Sequence, residues 1–88
     1  MINLSLYHGE YRNLMVTLSN KDASDFIIQR ASYTLSREGE IVDSGDCVVD
    51  GKKLIVYLNP KDIGFHVLEY TIYIAHEIII KRINIQVL

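Results

Sequence analysis

The stretch that decides the fold is Asn59-Pro60-Lys61-Asp62-Ile63-Gly64-Phe65-His66-Val67-Leu68, which lies between two runs with the composition of β-strands. Pro60 has no backbone N–H and a fixed φ, so it cannot continue the ladder of the strand before it. The Asp62 carboxylate can fold back onto nearby backbone N–H groups, and Gly64 can adopt a positive φ. We therefore predict a tight corner that carries the chain from one sheet to another.

Alternating apolar and polar residues, typical of half-buried strands, run through the rest of the chain. Turns are predicted at Glu38-Gly39 and at Asp50-Gly51, the strongest hairpin signal. No segment has a convincing helical pattern. The sequence predicts an all-β antiparallel sandwich of about seven strands, in a single domain spanning 1–88. The predicted strands are Ile2–Tyr7, Leu14–Ser19, Ala31–Ser36, Ile41–Val49 (interrupted at Ser44-Gly45), Leu54–Leu58, His66–Ala75 and Ile78–Val87.

Composition argues against several classes of function. The formal net charge of −2 and the scattered basic residues argue against nucleic-acid binding, which usually requires a basic patch. Cys47 is the only cysteine, so no internal disulfide can form, and a reducing or intracellular place of synthesis is favoured. The N-terminus does not resemble a signal peptide, and no apolar run approaches the ~18 residues that indicate a membrane-spanning helix.

The last predicted strand changes its apolar phase. Ile78 and Ile80 lie on one parity, whereas Ile83, Ile85 and Val87 lie on the other. Either a β-bulge turns both sets toward the core, or one set faces outward.

The strands that flank the corner are apolar on both faces. Ile55 and Tyr57 alternate with the core residues of 54–58, and Val67 and Tyr73 alternate with those of the next strand. If a second subunit or another protein covers this second face, these four residues form its contact surface. The alternative is that they stand exposed for their β-propensity, as apolar residues do on many monomers.

No group of residues predicts a reaction, a cofactor or a metal site. None of the three histidines has metal-ligand spacing, and we expect His66 to hydrogen-bond the backbone of the corner. Asp43, Asp46 and Asp50 match no calcium-binding loop; turns account for Asp46 and Asp50, and a weak cation site stays open as the alternative. Cys47 is expected to be a small core residue. The expectation is a protein that is not an enzyme.

These features occur in an order that resembles a known family. The corner, Asp62 to Leu68, is similar to the corner before strand F of immunoglobulin-like sandwiches, with His66 in place of the usual Tyr. The whole chain resembles the immunoglobulin-like domains of tailed-phage virion proteins, notably the N-terminal domain of baseplate upper proteins and small tail or head accessory proteins. The segments that carry this resemblance are Gly9-Glu10, Leu14 to Leu18, Ala31 to Leu35, Glu38 to Gly45 and the Pro60 to Gly64 corner.

The resemblance implies an immunoglobulin-like sandwich that acts, without catalysis, as an assembly module of a phage or prophage particle. The expected partners are copies of itself and other virion structural proteins, without nucleic acid or membrane. The expected location is the virion, after synthesis in the cytoplasm of a bacterial host. A carbohydrate- or cell-surface-binding module that uses exposed tyrosines stays open as the alternative, because the fold does not choose between the two.

Overall fold

The computed structural model describes residues 2–18, 27–75 and 77–88, which form eight β-strands in two sheets. Met1, residues 19–26 and His76 lie outside the described residues. The part of the chain that is described holds no helix long and apolar enough to cross a membrane. The strands are β1 (Ile2–Leu6), β2 (Arg12–Thr17), β3 (Ile28–Arg37), β4 (Glu40–Asp46), β5 (Val48–Asp50), β6 (Lys53–Leu58), β7 (Gly64–Ile74) and β8 (Glu77–Val87).

The larger sheet has five strands in the order β1-β8-β7-β3-β4, and the smaller has three in the order β2-β6-β5. Neighbouring strands are antiparallel except β1, which runs parallel to β8. The prediction of a purely antiparallel sandwich is therefore wrong at this edge. The chain leaves β1 at a kink where Gly9 has a φ of +81°, and β2 belongs to the other sheet. The first strand therefore pairs with the last one instead of with β2.

The predicted fourth strand is two strands, which raises the number from about seven to eight. β4 ends at Asp46, and β5 begins at Val48 in the other sheet. Between them, the Cys47 N–H donates a 2.9 Å hydrogen bond to the Ala31 carbonyl oxygen. Gly45 does not break β4, which continues to Asp46. Gly45 pairs with Tyr33, and a Cβ at Gly45 would come within 3.3 Å of the Tyr33 ring. The chain changes sheets at the cysteine rather than at the glycine.

The core lies between the sheets, and its centre is formed by β6 and β7. Alternate residues of these strands point inward, as their period of two requires. Each fully buried large apolar side chain contributes about 1.5–3 kcal/mol relative to exposure. The side chains at the centre, all 0–1% exposed, are Leu54, Val56, Leu58, Leu68, Tyr70 and Ile72.

The change of apolar parity along β8 does not produce a β-bulge. The pairing of β7 with β8 is unbroken from Gly64 opposite Val87 to Ile74 opposite Glu77. Ile83 and Ile85 are buried, whereas Ile78 and Ile80 are 63% and 52% exposed on the outer face. Of the two predicted alternatives, the structure has the one without a β-bulge, in which Ile78 and Ile80 face outward.

Candidate interaction surface and corner cleft

The corner between β6 and β7 carries the chain from the three-stranded to the five-stranded sheet, as the sequence predicts. Pro60 is buried, and β7 begins at Gly64, two residues before the predicted start of this strand. Gly64 has a φ of +125°, a conformation that residues with side chains rarely adopt. The backbone of the corner therefore depends on a glycine at this position.

His66 stabilises the corner from the side of the core. Its side chain is 1% exposed, and Nδ1–H donates a 3.0 Å hydrogen bond to the Gly64 carbonyl oxygen. A carbonyl only accepts, so the neutral ring carries its lone pair on Nε2. Nε2 has no hydrogen-bond partner among the described residues, and the ring as a whole is nearly sealed from solvent.

Asp62 does not cap the turn as the sequence suggested. The residue is exposed, and its carboxylate accepts no hydrogen bond within the described ranges. Two other groups close the corner: Arg37 Nε donates to the Ile63 carbonyl at 3.1 Å, and the Gly9 N–H donates to the Pro60 carbonyl at 2.9 Å. These two contacts satisfy carbonyl oxygens of the corner, and the Asp62 carboxylate lies in solvent.

A cleft of about 350 Å³ opens between the corner and β4. Its buried members come from β3, the corner and the start of β7, and its exposed members come from β4 and the corner. Hydrogen-bond acceptors predominate, since it contains two carboxylates, an amide oxygen and the imidazole. The lining residues are Leu35, Val42, Asp43, Asn59, Pro60, Lys61, Asp62 and His66.

The four residues predicted to form one contact surface lie on two different faces. Ile55 and Tyr57 are on the outer face of the three-stranded sheet, whereas Val67 and Tyr73 are on the outer face of the five-stranded sheet. These outer faces point away from each other on either side of the core. One flat partner surface therefore cannot contact all four. The corner itself is the reason, because it moves the chain to the opposite sheet between Tyr57 and Val67.

The outer face of the three-stranded sheet carries a continuous apolar surface. Ile55 is paired with Met15 on one side and with Val48 on the other, so one apolar row crosses all three strands. Beside this row, Tyr57 stacks on Tyr11 with the ring centroids 6.0 Å apart and the planes inclined by 24°. All but Ile55 are classed as exposed. We call Tyr11, Met15, Val48, Ile55 and Tyr57 the three-strand apolar face.

The outer face of the five-stranded sheet is divided by polar groups. At one end, the Arg30 guanidinium lies 4.1 Å above the centroid of the Tyr73 ring, next to the exposed Ile78. In the middle, Arg82 and Glu69 form an ion pair of 2.7 Å. Val67 lies beyond this pair, so its apolar contacts are not continuous with those of Tyr73.

Sequence reasoning missed Met15 and Val48. The signal for Val48 was present in the Asp50-Gly51 hairpin, since a two-residue loop at 51–52 sets Asp50 opposite Lys53 and Val48 opposite Ile55. The signal for Met15 was absent, because the register between β2 and β6 joins strands that are distant in sequence.

Burial favours the neutral forms of two ionisable groups of the core, Cys47 and Tyr70. Burial, together with the nearby Asp46, raises the pKa of the Cys47 thiol to about 11. Burial, with a smaller contribution from Cys47, raises the pKa of Tyr70 to about 12. The Tyr70 hydroxyl is buried and has no hydrogen-bond partner in the described structure. A protonated, buried thiol is a poor nucleophile and metal ligand.

The acidic residues of β4 and β5 have local partners or face solvent. The Ser44 N–H donates to Asp43 Oδ1 at 2.9 Å, and the Tyr33 hydroxyl donates to Asp43 Oδ2 at 3.4 Å. Burial, followed by the charge of Asp43, raises the pKa of Tyr33. In residues 2–18, 27–75 and 77–88, no three His, Cys, Asp or Glu side chains are grouped so that they could hold a metal ion.

Comparison with known proteins extends to the fold alone. The chain matches no protein-family model, and no curated protein matches it at a significant level. Its fold is similar to part of an engineered protein with a crystal structure from a structural genomics consortium, with a TM-score of 0.81 and 12% sequence identity. The alignment covers 99% of this chain and 18% of that protein, so the chain spans less than a fifth of it.

Proposed function

We propose that the chain is an immunoglobulin-like domain. The strand order supports this, because β2, β6 and β5 correspond to strands B, E and D of that fold, and β3, β7 and β8 correspond to C, F and G. β4 then corresponds to the additional C′ strand of variable-type domains. His66, at the start of β7 and bonded to the Gly64 carbonyl, takes the place of the corner tyrosine.

The function we propose is that of a non-enzymatic assembly module in a phage or prophage virion. The order of turns and strands that resembles tail and baseplate domains supports the virion. The observation that supports assembly is the apolar row Met15–Ile55–Val48, which crosses every strand of the smaller sheet. The largest exposed apolar patch of a monomer, about 300–600 Å², is often a functional surface. The stacked Tyr11 and Tyr57 provide the aromatic anchors that protein interfaces favour.

The opposite face of the sandwich fits a contact surface less well. Its centre holds the Glu69–Arg82 ion pair, and a partner covering it would have to desolvate two charges. The three-strand apolar face has no charge between its aromatic pair and its apolar row. We therefore assign the contact to the smaller sheet, with Ile55 and Tyr57 retained and Val67 and Tyr73 excluded.

The occupant we propose for this face is a second copy of the same chain. One end of the smaller sheet carries the cross-strand pair Asp50 and Lys53, so both signs of charge are available to each copy. In a symmetric pair the same patch is used twice, and Lys53 of one copy can approach Asp50 of the other. The contact then gains apolar burial without like-charge repulsion.

The size of the face sets the strength of this contact. Strands of the length of β2, which has six residues, span about 20 Å, and three adjacent strands span about 14 Å. The flat area is about 300 Å² per copy, or about 600 Å² in total. Stable interfaces bury about 1,200 Å² or more. A single pair is therefore weak, and repetition in a particle would provide the avidity that one contact lacks.

The test is the mass in solution across a concentration series, measured by light scattering. We expect the wild type to associate reversibly as its concentration rises, and Met15→Lys to remain monomeric. Ile80→Lys is the matched control, because Ile80 is similarly exposed but lies on the outer face of the other sheet. A wild type that stays monomeric and binds no other virion protein would contradict the assembly function. Circular dichroism checks that each variant keeps its β structure.

A second function is favoured by one observation, the exposed and stacked pair of Tyr11 and Tyr57. Aromatic rings with one free face are a suitable platform for the apolar face of a sugar ring. In this case an oligosaccharide would raise the melting temperature, and Tyr57→Ala would abolish the increase. Stabilisation by a glycan without self-association would favour the binding module over the assembly module.

A further inference from the structure

The lining of the cleft beside the corner includes one buried polar side chain, that of His66. His66 is 1% exposed, its Nδ1–H is committed to the Gly64 carbonyl, and its Nε2 has no partner among the described residues. The ring lines the cleft, and its acceptor lone pair has no partner in the described structure. Such a group is satisfied only by a donor from outside the fold.

A second acceptor in the cleft is equally uncommitted. The Asp62 carboxylate is exposed and accepts no hydrogen bond within the described ranges, and the fold closes the corner without it. Asp43 lines the opposite wall and keeps two local hydrogen bonds. Lys61 is the one basic residue in the lining. The described lining therefore carries two carboxylates and one ammonium, a net negative charge.

The apolar part of the lining restricts the ligand further. Leu35 and Pro60 are buried, and Val42 is half-exposed on β4. These groups suit a short aliphatic chain, whereas the carboxylates and the imidazole suit its charged head. The lining as described has no Phe, Tyr or Trp on which a sugar ring could stack. A volume of about 350 Å³ accommodates a ligand of this size.

We propose that this cleft binds an alkylammonium or alkylguanidinium group, with the cation between Asp62 and Asp43 and one of its N–H groups donating to His66 Nε2. The cation is that of a free aliphatic amine or of a lysine or arginine side chain in a peptide. The site is separate from the three-strand apolar face, so it does not depend on the assembly function. The affinity is modest, about millimolar, because the carboxylates are exposed and partly screened.

The test is a titration followed by ¹H–¹⁵N correlation spectra of the Met15→Lys protein, whose association surface is disabled. Butylguanidinium is the cationic probe, and butylurea, which has nearly the same shape and no charge, is the matched control. We expect butylguanidinium to shift the resonances of residues 59–66 and 42–43, with little effect from butylurea. Shifts confined to other residues, or equal binding of the two probes, would overturn the proposal.

Three variants test which charged side chains contact the cation. Asp62→Asn should weaken binding about fivefold, because it removes one exposed ion pair and keeps the shape of the side chain. Lys61→Ala should strengthen binding about twofold to fivefold by removing a like charge. Asp46→Asn, which removes a carboxylate outside the cleft, should change it less than about twofold. Equal affinities for Asp62→Asn and Asp46→Asn would overturn the site.

A last pair of probes distinguishes a peptide side chain from a free amine as the source of the cation. N-acetyl-arginine methylamide carries the same head on a peptide backbone. Equal binding of this compound and butylguanidinium would indicate a peptide side chain as the ligand. Loss of binding for the capped amino acid would indicate a free amine. Binding of neither would contradict the proposal.

Discussion

Replacement of Gly64 by alanine tests whether the corner depends on backbone conformation. A Cβ at this position would lie 3.5 Å from Arg37 Nε and 3.9 Å from its Nη2, which are ordinary contacts, so the substitution causes no steric clash. The φ of +125° is costly for any residue with a side chain, by about 1–3 kcal/mol. The reduced entropy of the unfolded chain offsets about 0.4–1 kcal/mol of this cost. We expect the free energy of unfolding to fall by about 1–2 kcal/mol.

Urea unfolding followed by circular dichroism measures this change. For a domain of this size, a loss of about 1–2 kcal/mol lowers the melting temperature by about 4–16 °C. The control is Gly45→Ala, where φ is not positive but a Cβ would come within 3.3 Å of the Tyr33 ring. Truncating Tyr33 to leucine should rescue Gly45→Ala in a double-mutant cycle and leave the cost of Gly64→Ala unchanged. An unchanged urea midpoint for Gly64→Ala would refute the backbone argument.

Four further predictions concern the core and the surface. His66→Phe removes the donor to the Gly64 carbonyl and should lower the free energy of unfolding by about 1–2 kcal/mol in the same urea assay; no change would show that the bond is not needed. Because burial raises the pKa of Cys47 to about 11, we expect a thiol reagent at pH 8 to react about 100-fold more slowly with the folded than with the unfolded protein. Since the folded pKa lies above the ordinary value of about 9, the stability due to this thiol is complete below about pH 9 and is lost as the pH rises through 11. Cys47→Ala should reduce that alkaline loss, and an unchanged pH profile would contradict it. Arg82→Ala breaks an exposed ion pair with Glu69 and should cost less than about 1 kcal/mol; a larger loss would show that the pair is not merely a surface contact.

The elements that the sequence predicts well are those specified locally. The turn at Glu38-Gly39 forms with positive φ at both residues, and the corner forms where Pro60 and Gly64 require it. Alternation places Leu68 and Ile72 correctly in the core. Each of these features depends on residues within a few positions of one another, so a short pattern is sufficient to predict it.

The elements that the sequence misses depend on distant pairing. The parallel partnership of β1 with β8 joins the two ends of the described chain, and no local pattern indicates it. The composition of the three-strand apolar face also depends on distant pairing, because the register of β2 against β6 places Met15 beside Ile55. The corner cleft also joins distant segments, since Asp43 on β4 and Asp62 meet across it only in the folded chain.

The most direct test of assembly through the smaller sheet is a dilution series of ¹H–¹⁵N correlation spectra of the wild-type protein. If copies associate through the three-strand apolar face, the amide resonances of Met15, Val48 and Ile55 should move with concentration, and those of Thr71 and Ile80 on the opposite face should stay fixed. Spectra that do not change over the concentration range, or changes centred on Ile80, would contradict the proposal.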